Sequence, residues 1–338
     1  MKTVYLVQNG EKRTLIYGEK PKPKPKKGEA LIKVKACALN HLEVHMINGA
    51  YELPLDHIPG SDISGVIEVV NGESKLKVGQ EVVVNPAISC KKCSRCKRGL
   101  SCENVTIVGR KDPGGYAEYV ALPIEQLYAK PKNLSFVETA AFPLTFLTAY
   151  HMLIGRANLQ KGETVFIWGA SGGLGCAAIQ IAMYMGAKTI AAVSSSEDAK
   201  KVKEIGADFV VNYKKDDILG RVNEFTGNEK VDVVFESVGT ATWNMSLGML
   251  RSYGRVVIAG TTSGAIVSQD LSNIYYYQHT IIGSRMGTKE EFEQILQLFL
   301  VGKLKPIIDK VFPLEKANEA VQRMQESKQM GKIVLEIG

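Results

Sequence analysis

The spacing of apolar positions divides this 338-residue chain into two parts. From the N-terminus to about residue 125 the apolar stretches are short and are cut by Gly, Pro and Asn. Thr3–Gln8, Ala30–Ala38, Gly65–Val70, Glu81–Asn85 and Ala117–Ala121 are rich in Val and Ile and predict strands of a mostly β region. Near Pro131 the character changes. Pro143–Ile154 predicts a helix, Val165–Trp168 a strand and Cys176–Met185 a helix. Lys188–Val193 predicts a second strand and Glu197–Ile205 a further helix. Strands at Phe209–Asn212, Val231–Phe235 and Arg255–Ala259 continue the alternation. Repeated β and α segments of this length predict an α/β fold with a parallel, doubly wound sheet. After a polar turn at Thr261–Gly264 come a strand at Thr280–Ser284, a helix at Lys289–Phe299 and a last strand at Lys332–Ile337. That last strand is expected to rejoin the first region. The expected organisation is a discontinuous domain of residues 1–127 and 270–338 around a nucleotide-binding domain of residues 128–269.

The junction of the strand Val165–Trp168 with the following helix is a run of glycines: Gly169, Gly172, Gly173 and Gly175. Strand, tight turn and helix form the geometry that holds a dinucleotide pyrophosphate. Glycine lets the backbone approach the phosphates, and the helix start offers free N–H groups and a partial positive charge. The motif, Ala170-x-Gly172-x-x-Gly175, is a variant. A glycine-rich turn without a ligand is the alternative, and the βα alternation around it argues for the nucleotide. The chemistry it implies is hydride transfer with a nicotinamide.

Composition adds limits. Apolar residues make up 45% of the chain and charged residues 23%, the balance of an ordinary globular protein. No apolar run is long enough to cross a bilayer. Gln8, Asn9, Glu11, Lys12 and Arg13 break the N-terminus too early for a secretory signal. The expectation is a cytoplasmic protein with no membrane partner. Net charge is +7, and much of it sits in Lys20–Lys27, KPKPKPKK. Alternating proline makes that segment extended. No aromatics are interleaved with the lysines, so a solvated loop between two early strands is expected, and no nucleic-acid partner.

Four of the six cysteines fall within thirteen residues: Cys90, Cys93, Cys96 and Cys102. Nested CxxC steps with a fourth thiolate nearby suit tetrahedral zinc. Lys91, Lys92, Arg95, Lys97 and Arg98 offset the thiolate charge. Disulfides fit a cytosolic setting poorly, and the remainder of the chain has no mark of an electron-transfer module that an iron–sulfur cluster would serve. Four protein ligands leave no open position, so the reading is one structural zinc ion in a lobe of residues 86–112. Cys37 and Cys176, in apolar surroundings, are read as packed residues.

Taken together, the early β region, the four-cysteine lobe, the Ala-x-Gly-x-x-Gly turn and the closing Gly331-Lys332-Ile333-Val334-Leu335 resemble the medium-chain dehydrogenase/reductase superfamily. The resemblance covers essentially the whole chain. It is strongest to the quinone oxidoreductase and zinc-type alcohol dehydrogenase-like branch, on Ala38-Leu39-Asn40-His41-Leu42, Pro143-Leu144-Thr145-Phe146-Leu147-Thr148-Ala149-Tyr150 and Val211-Asn212-Tyr213. It implies a GroES-like, mostly β catalytic domain and a Rossmann domain. The loop before Cys102 is two residues shorter than the family spacing. Alcohol dehydrogenases of the superfamily hold a catalytic zinc on three residues whose places are taken here by Asn40, Ser61 and Leu144, none of the family's ligand types. His41, Glu43, His45, His57 and Asp62 remain nearby as candidates for an improvised metal site.

Losing those ligands bears on the reaction. Zinc lowers the pKa of a bound oxygen from ~16 to ~7, on the order of 12 kcal/mol at ~1.36 kcal/mol per unit. No base that could replace it is evident at the matched positions. Hydride addition to a quinone or an activated C=C bond needs less, because the developing charge is delocalised. The sequence therefore predicts NAD(P)H-dependent reduction of a quinone, enone or similar electrophilic small molecule, without catalytic zinc. The alternatives are an alcohol dehydrogenase with an atypical catalytic metal and an NADPH-binding protein with incidental redox activity.

By resemblance, Asn40 and Thr148 lie near the nicotinamide, and Gly169, Ser171, Gly172, Gly173 and Leu174 hold the pyrophosphate. Gly260, Thr261, Thr262, Ser284, Arg285 and Met286 flank the nicotinamide half, and Lys332 lies near the cofactor. Asn40, His41, His45 and Tyr51 are the candidate catalytic and substrate-side groups. About 20 residues past the glycines, an NAD-specific fold places an acid on the ribose. This chain has Ser194, Ser195 and Ser196 there, with Lys200, Lys201 and Tyr213 near, although Asp198 stands where some relatives carry a lysine. The set favours NADP(H) over NAD(H). Analogy implies a homodimer or homotetramer, with Ile274–Tyr277 as an interface candidate or as packing within one chain.

Overall fold

In the computed structural model, residues 1–10, 12–98 and 101–338 are described. Along the chain come β1 (Lys2–Asn9), β2 (Lys12–Glu19), β3 (Glu29–Ala38), α1 (His41–Ile47), β4 (Asp62–Asn71), β5 (Glu81–Val84), β6 (Ala87–Ile88), α2 (Ser94–Lys97), β7 (Thr106–Ile107), β8 (Tyr119–Pro123), β9 (Leu127–Ala129), α3 (Phe136–Ala140) and α4 (Pro143–Tyr150). A π-helical turn, His151–Arg156, prolongs α4. Then follow β10 (Thr164–Ile167), α5 (Gly173–Tyr184), β11 (Lys188–Val193), α6 (Ser196–Ile205), β12 (Phe209–Asn212), α7 (Ile218–Thr226), β13 (Val231–Glu236), α8 (Trp243–Gly248), β14 (Leu250–Ile258), α9 (Leu271–Tyr276), β15 (Thr280–Gly283), α10 (Lys289–Leu300), β16 (Ile308–Pro313), α11 (Ala317–Gln325) and β17 (Lys332–Glu336).

The chain forms two compact units, Met1–Leu144 with Thr288–Gly338, and Thr145–Gly287. Both boundaries differ from those read in the sequence. Residues 128–144 belong to the first unit, because β9 pairs with β5 and extends its sheet. Residues 270–287 belong to the second, because β15 pairs with β14.

The first unit is built on a seven-stranded sheet, ordered β16-β17-β3-β4-β5-β9, with β8 also on β3. β17 pairs antiparallel with β3, so the last strand does rejoin the first region. Ile32, Val34, Leu39, Met46, Ile63, Tyr116, Ile333 and Leu335 are among its fully buried core residues. The Lys-Pro run joins β2 to β3 as an extended segment. Lys20 binds Asp56 (2.7 Å) and lies 4.1 Å from the Tyr5 ring, and Lys22 pairs with Glu68.

The second unit is a six-stranded sheet, ordered β12-β11-β10-β13-β14-β15 and parallel throughout. Counted from β10 this is the doubly wound order 3-2-1-4-5-6, whose reversal lies between β10 and β13. β10 and β11 are buried on nearly every residue, as strands covered on both faces must be. Among the described residues no helix is long and apolar enough to cross a membrane.

Candidate active site

In the first unit the sheet register assembles a buried polar cluster. Ala38, at the end of β3, pairs with Asp62 of β4 on one side and Val334 of β17 on the other. Lys332, two residues before Val334, shares its face. Asn40 follows as the N-cap of α1. Glu43 Oε2 accepts a hydrogen bond from Asn40 N (2.7 Å) and closes the first turn of that helix. The Asn40 amide is thereby left to face the sheet. Its Nδ2 donates to Asp62 Oδ2 (3.0 Å), and its Oδ1 accepts from Lys332 Nζ (2.6 Å). Lys332 Nζ also donates to Leu39 O (2.6 Å) and Asp62 Oδ2 (2.9 Å). Asp62 Oδ1 accepts from Leu144 N (2.8 Å). The three donors of the ammonium thus meet three acceptors, and Lys332, Asp62 and Asn40 are all buried.

Around this pair burial sets the protonation chemistry. Glu43 is buried, and desolvation pushes its carboxyl up to about 7. Desolvation likewise pushes the Cys37 thiol and the Tyr116 hydroxyl upward. Glu43 Oε1, Ser61 Oγ and Tyr116 Oη have no hydrogen-bond partner among the described residues.

His41 and His45 sit on α1, the first at its exposed start and the second half-buried. His41 is held below its ordinary pKa by desolvation, then by the neighbouring His45 and Lys332. Tyr51 follows α1. Arg13 Nη1 donates to Tyr51 O (2.7 Å) and Met46 O (3.0 Å), and the Arg110 guanidinium lies 4.6 Å from the Tyr51 ring. The five candidates for an improvised metal site do not gather. Among the described residues the one group with metal-ligand spacing is Cys90, Cys93, Cys96 and Cys102, whose sulfurs lie within 4.8 Å of one another. His57 Nε2 is taken up by Gly109 O (2.7 Å), and both Asp62 oxygens are spent as described.

A zinc ion bound at 2.3 Å by four thiolates sets the sulfurs about 3.8 Å apart, close to the arrangement found. Local structure prepares the cluster. Cys93 is the N-cap of α2, its sulfur accepting from Cys96 N (3.4 Å), and Cys102 Sγ accepts from Cys90 N (3.2 Å) and Asn104 N (3.3 Å). Backbone N–H groups of Lys92 and Cys93 lower the Cys90 thiol to about 6. Despite the short loop before it, Cys102 joins the set. Gly99 and Leu100, inside the lobe, lie outside the described residues.

In the second unit β10 ends at Ile167, and the chain turns through Gly169 (φ 59°) into α5. A Cβ on Gly175 would lie 2.3 Å from Gly169 O, so only glycine lets the helix start so close to the turn. Gly172 is the N-cap of α5, and no side chain caps that end. An uncapped helix start against a glycine turn fits a pyrophosphate, and Ser171, Gly173 and Leu174 lie on it. Ser194 and Tyr213 stand together at the ends of β11 and β12, where Tyr213 N donates to Val193 O (3.0 Å). Ser195 caps α6, its Oγ accepting from Asp198 N (3.0 Å). Lys200 is exposed, whereas Lys201 pairs with Glu197 (2.7 Å). Gly260, Thr261 and Thr262 follow β14 as a loop, with both threonines exposed. Thr148 Oγ1 lies 4.0 Å from Met286 Sδ, which brings two predicted nicotinamide-side residues together. Ser284 N donates to Ile258 O (2.8 Å), and Arg285 is exposed.

Comparison with known proteins gives this geometry its family. Residues 26–132 match the alcohol dehydrogenase GroES-like domain, and residues 173–300 match the zinc-binding dehydrogenase model. The chain is 34% identical to a quinone oxidoreductase of Pongo abelii, over 93% of this chain and 90% of that protein. It is equally 34% identical to an alcohol dehydrogenase of Geobacillus stearothermophilus, over 96% and 97%. A crystal structure of an NAD-dependent alcohol dehydrogenase superposes over all of both chains with a TM-score of 0.96 at 38% identity. The chain belongs to the medium-chain dehydrogenase/reductase superfamily. It is an NAD(P)-dependent oxidoreductase, with the GroES-like and Rossmann folds that the sequence implies.

Two residue sets escaped the sequence reading. In sequence Asp62 offers itself only as a metal ligand, and nothing local marks it as the counter-ion of Lys332. Glu236, Thr242 and Ser246 form a second buried polar knot. In sequence they look like an ordinary strand end and turn.

Proposed function

We propose that the protein uses NADPH to reduce a quinone, an enone or a similar electron-poor small molecule, with no catalytic metal. The observation that carries this reading is the Lys332–Asp62–Asn40 cluster. Of the three places where alcohol dehydrogenases hold catalytic zinc, Leu144 offers no donor side chain, Ser61 a lone hydroxyl, and Asn40 an amide oxygen already bound to an ammonium at 2.6 Å. Zinc selects thiolate, imidazole or carboxylate, and here it would sit against a buried positive charge.

A bound nicotinamide supplies a hydride, two electrons and one proton, to the electron-poor carbon or carbonyl of the substrate, and water supplies the second proton. The residues' work is to bind, orient and desolvate. Lys332 fixes the Asn40 amide, so that α1 starts in one orientation and presents His41 and His45 together. The uncapped start of α5 holds the pyrophosphate. Thr148 and Met286 border the nicotinamide half with Gly260, Thr261, Thr262, Ser284 and Arg285. Ser194, Tyr213 and the exposed Lys200, which forms no ion pair among the described residues, support a 2′-phosphate, hence NADP(H) over NAD(H). Ser195 contributes by ordering α6.

Cys90, Cys93, Cys96 and Cys102 would hold a structural zinc ion, which stabilises their lobe. A reducing, cytoplasmic setting would keep these thiols available to the metal. Self-association fits the face carrying Leu271, Tyr275 and Tyr276, each at least 70% exposed, beside β15 at the sheet edge. A second reading, an alcohol dehydrogenase with an atypical metal, draws support from the names of the relatives alone. A screen of quinones, enones and aldehydes with NADPH, run before and after chelation, tests the proposal. Turnover of quinone or enone that survives chelation is expected, and metal-dependent alcohol oxidation as the main activity would refute it.

A further inference from the structure

We infer that Glu236 is a positioning residue for the dinucleotide, holding the glycine turn and the Gly260–Gly264 loop as one preset cradle. Glu236 ends β13 and is fully buried. Its partners among the described residues are all neutral donors. Oε1 accepts from Val238 N (2.7 Å), Gly239 N (3.0 Å) and Thr242 Oγ1 (3.0 Å). Oε2 accepts from Ser246 Oγ (2.6 Å) and shares with Oε1 the one Thr242 hydroxyl hydrogen (2.9 Å). A buried carboxylate without a cation is costly unless its lone pairs are fully met. Here they are met by donors that lead to two different loops.

The first arm runs to the glycine turn. Ser246 Oγ, which donates to Glu236, accepts from Trp168 Nε1 (2.8 Å), and Trp168 is the residue before Gly169. The second arm runs to the nicotinamide-side loop. Val238 O accepts from Ser263 N and Ser263 Oγ (2.8 Å each). Gly264 O accepts from Thr240 N (3.1 Å), and a Cβ on Gly239 would lie 2.3 Å from that same oxygen. One carboxylate at the end of β13 therefore fixes, through one residue on each side, the turn that follows β10 and the loop that follows β14, the two strands that border β13. Loops set before the ligand arrives spare the ordering cost that binding would otherwise carry.

Glu236 plays this part only if the glycine turn holds the dinucleotide. The test is a titration of NADPH and NADH into the wild-type protein and two variants, followed by tryptophan emission. Of the two tryptophans of the chain, Trp168 reaches Glu236 through Ser246, and Trp243 starts α8 next to Thr242, another Glu236 partner. Glu236→Gln keeps the shape but replaces one acceptor oxygen with an amide nitrogen. It is expected to bind NADPH about tenfold more weakly, to raise KM for NADPH, and to leave KM for the electron acceptor unchanged at saturating NADPH. Ser246→Ala, which cuts only the Trp168 arm, is expected to weaken NADPH binding by a smaller factor and to shift the emission of Trp168. If Glu236→Gln does not fold, Ser246→Ala decides. Unchanged Kd in the folded variants, with only a lower unfolding temperature, would reduce Glu236 to a packing role and overturn the inference. Failure of the wild-type protein to bind either nucleotide is a different result, and it would remove the dinucleotide reading itself.

Discussion

The Lys332 ammonium lies 2.9 Å from Asp62 Oδ2, with both side chains buried in one sheet face and the Asn40 amide bonded to each. A cation supplied by the chain thus neutralises an acid behind the start of α1. The pair is fully satisfied, so its removal has sharp consequences.

Lys332→Met leaves Asp62 buried with only Asn40 and a backbone N–H. Breaking a buried pair in this way costs about 3–5 kcal/mol, and urea unfolding of the first unit is expected to show a loss of that size. The double variant Lys332→Met/Asp62→Asn is expected to recover most of it. A single variant as stable as wild type would contradict the account of this cluster.

Glu43 sets a pH dependence whose sign follows from its raised pKa. The folded carboxyl titrates at about 7 against 4.5 when free, so between those values the folded state binds more protons than the unfolded one. Stability therefore falls as pH rises through that window, by up to about 3 kcal/mol at ~1.36 kcal/mol per unit. Glu43→Gln keeps an acceptor for Asn40 N and is expected to flatten this slope, making the variant more stable than wild type at pH 8. Parallel stability curves for the two proteins would show that Glu43 carries no such penalty.

Chelation of the cysteine lobe is expected to lower the unfolding temperature of the first unit, since a structural zinc contributes on the order of 10 kcal/mol to local folding. Cys96→Ser is expected to reproduce the effect. The Kd for NADPH is expected to stay within about twofold, because the glycine turn belongs to the other unit. Loss of NADPH binding on chelation would place the metal elsewhere.

Lys200 is exposed and forms no ion pair among the described residues. Its replacement by Ala is expected to reduce the ratio of kcat/KM for NADPH over NADH about tenfold. A wild-type preference for NADH would reverse the assignment of the cofactor.

The parts legible in the sequence were those fixed by local pattern. β11 and β12 match the predicted Lys188–Val193 and Phe209–Asn212 residue for residue; β11 is a continuous apolar run buried on both faces, and β12, at the sheet edge, is a short Val-rich run ended by Asn212. The glycine turn and the four cysteines declare themselves by spacing. β2 and β16, in contrast, carry charge at several positions and went unread. The helix predicted over Pro143–Ile154 leaves α-helical geometry after Tyr150, a change that periodicity does not register. The Lys332–Asp62 contact spans 270 residues and Asn40–Lys332 spans 292, so only the sheet register brings them together. Glu236 stayed hidden for the opposite reason. Its partners are all within ten residues, but their purpose is visible only once Trp168 and the Gly260–Gly264 loop are in place.

Hydride transfer to an electron-poor substrate is proposed to need no catalytic zinc. The most direct test is the metal content of a single purified sample, taken together with its NADPH-dependent quinone reduction. One zinc ion per chain with full turnover is the predicted result. Two ions per chain, with turnover lost as the more labile one is removed, would contradict it.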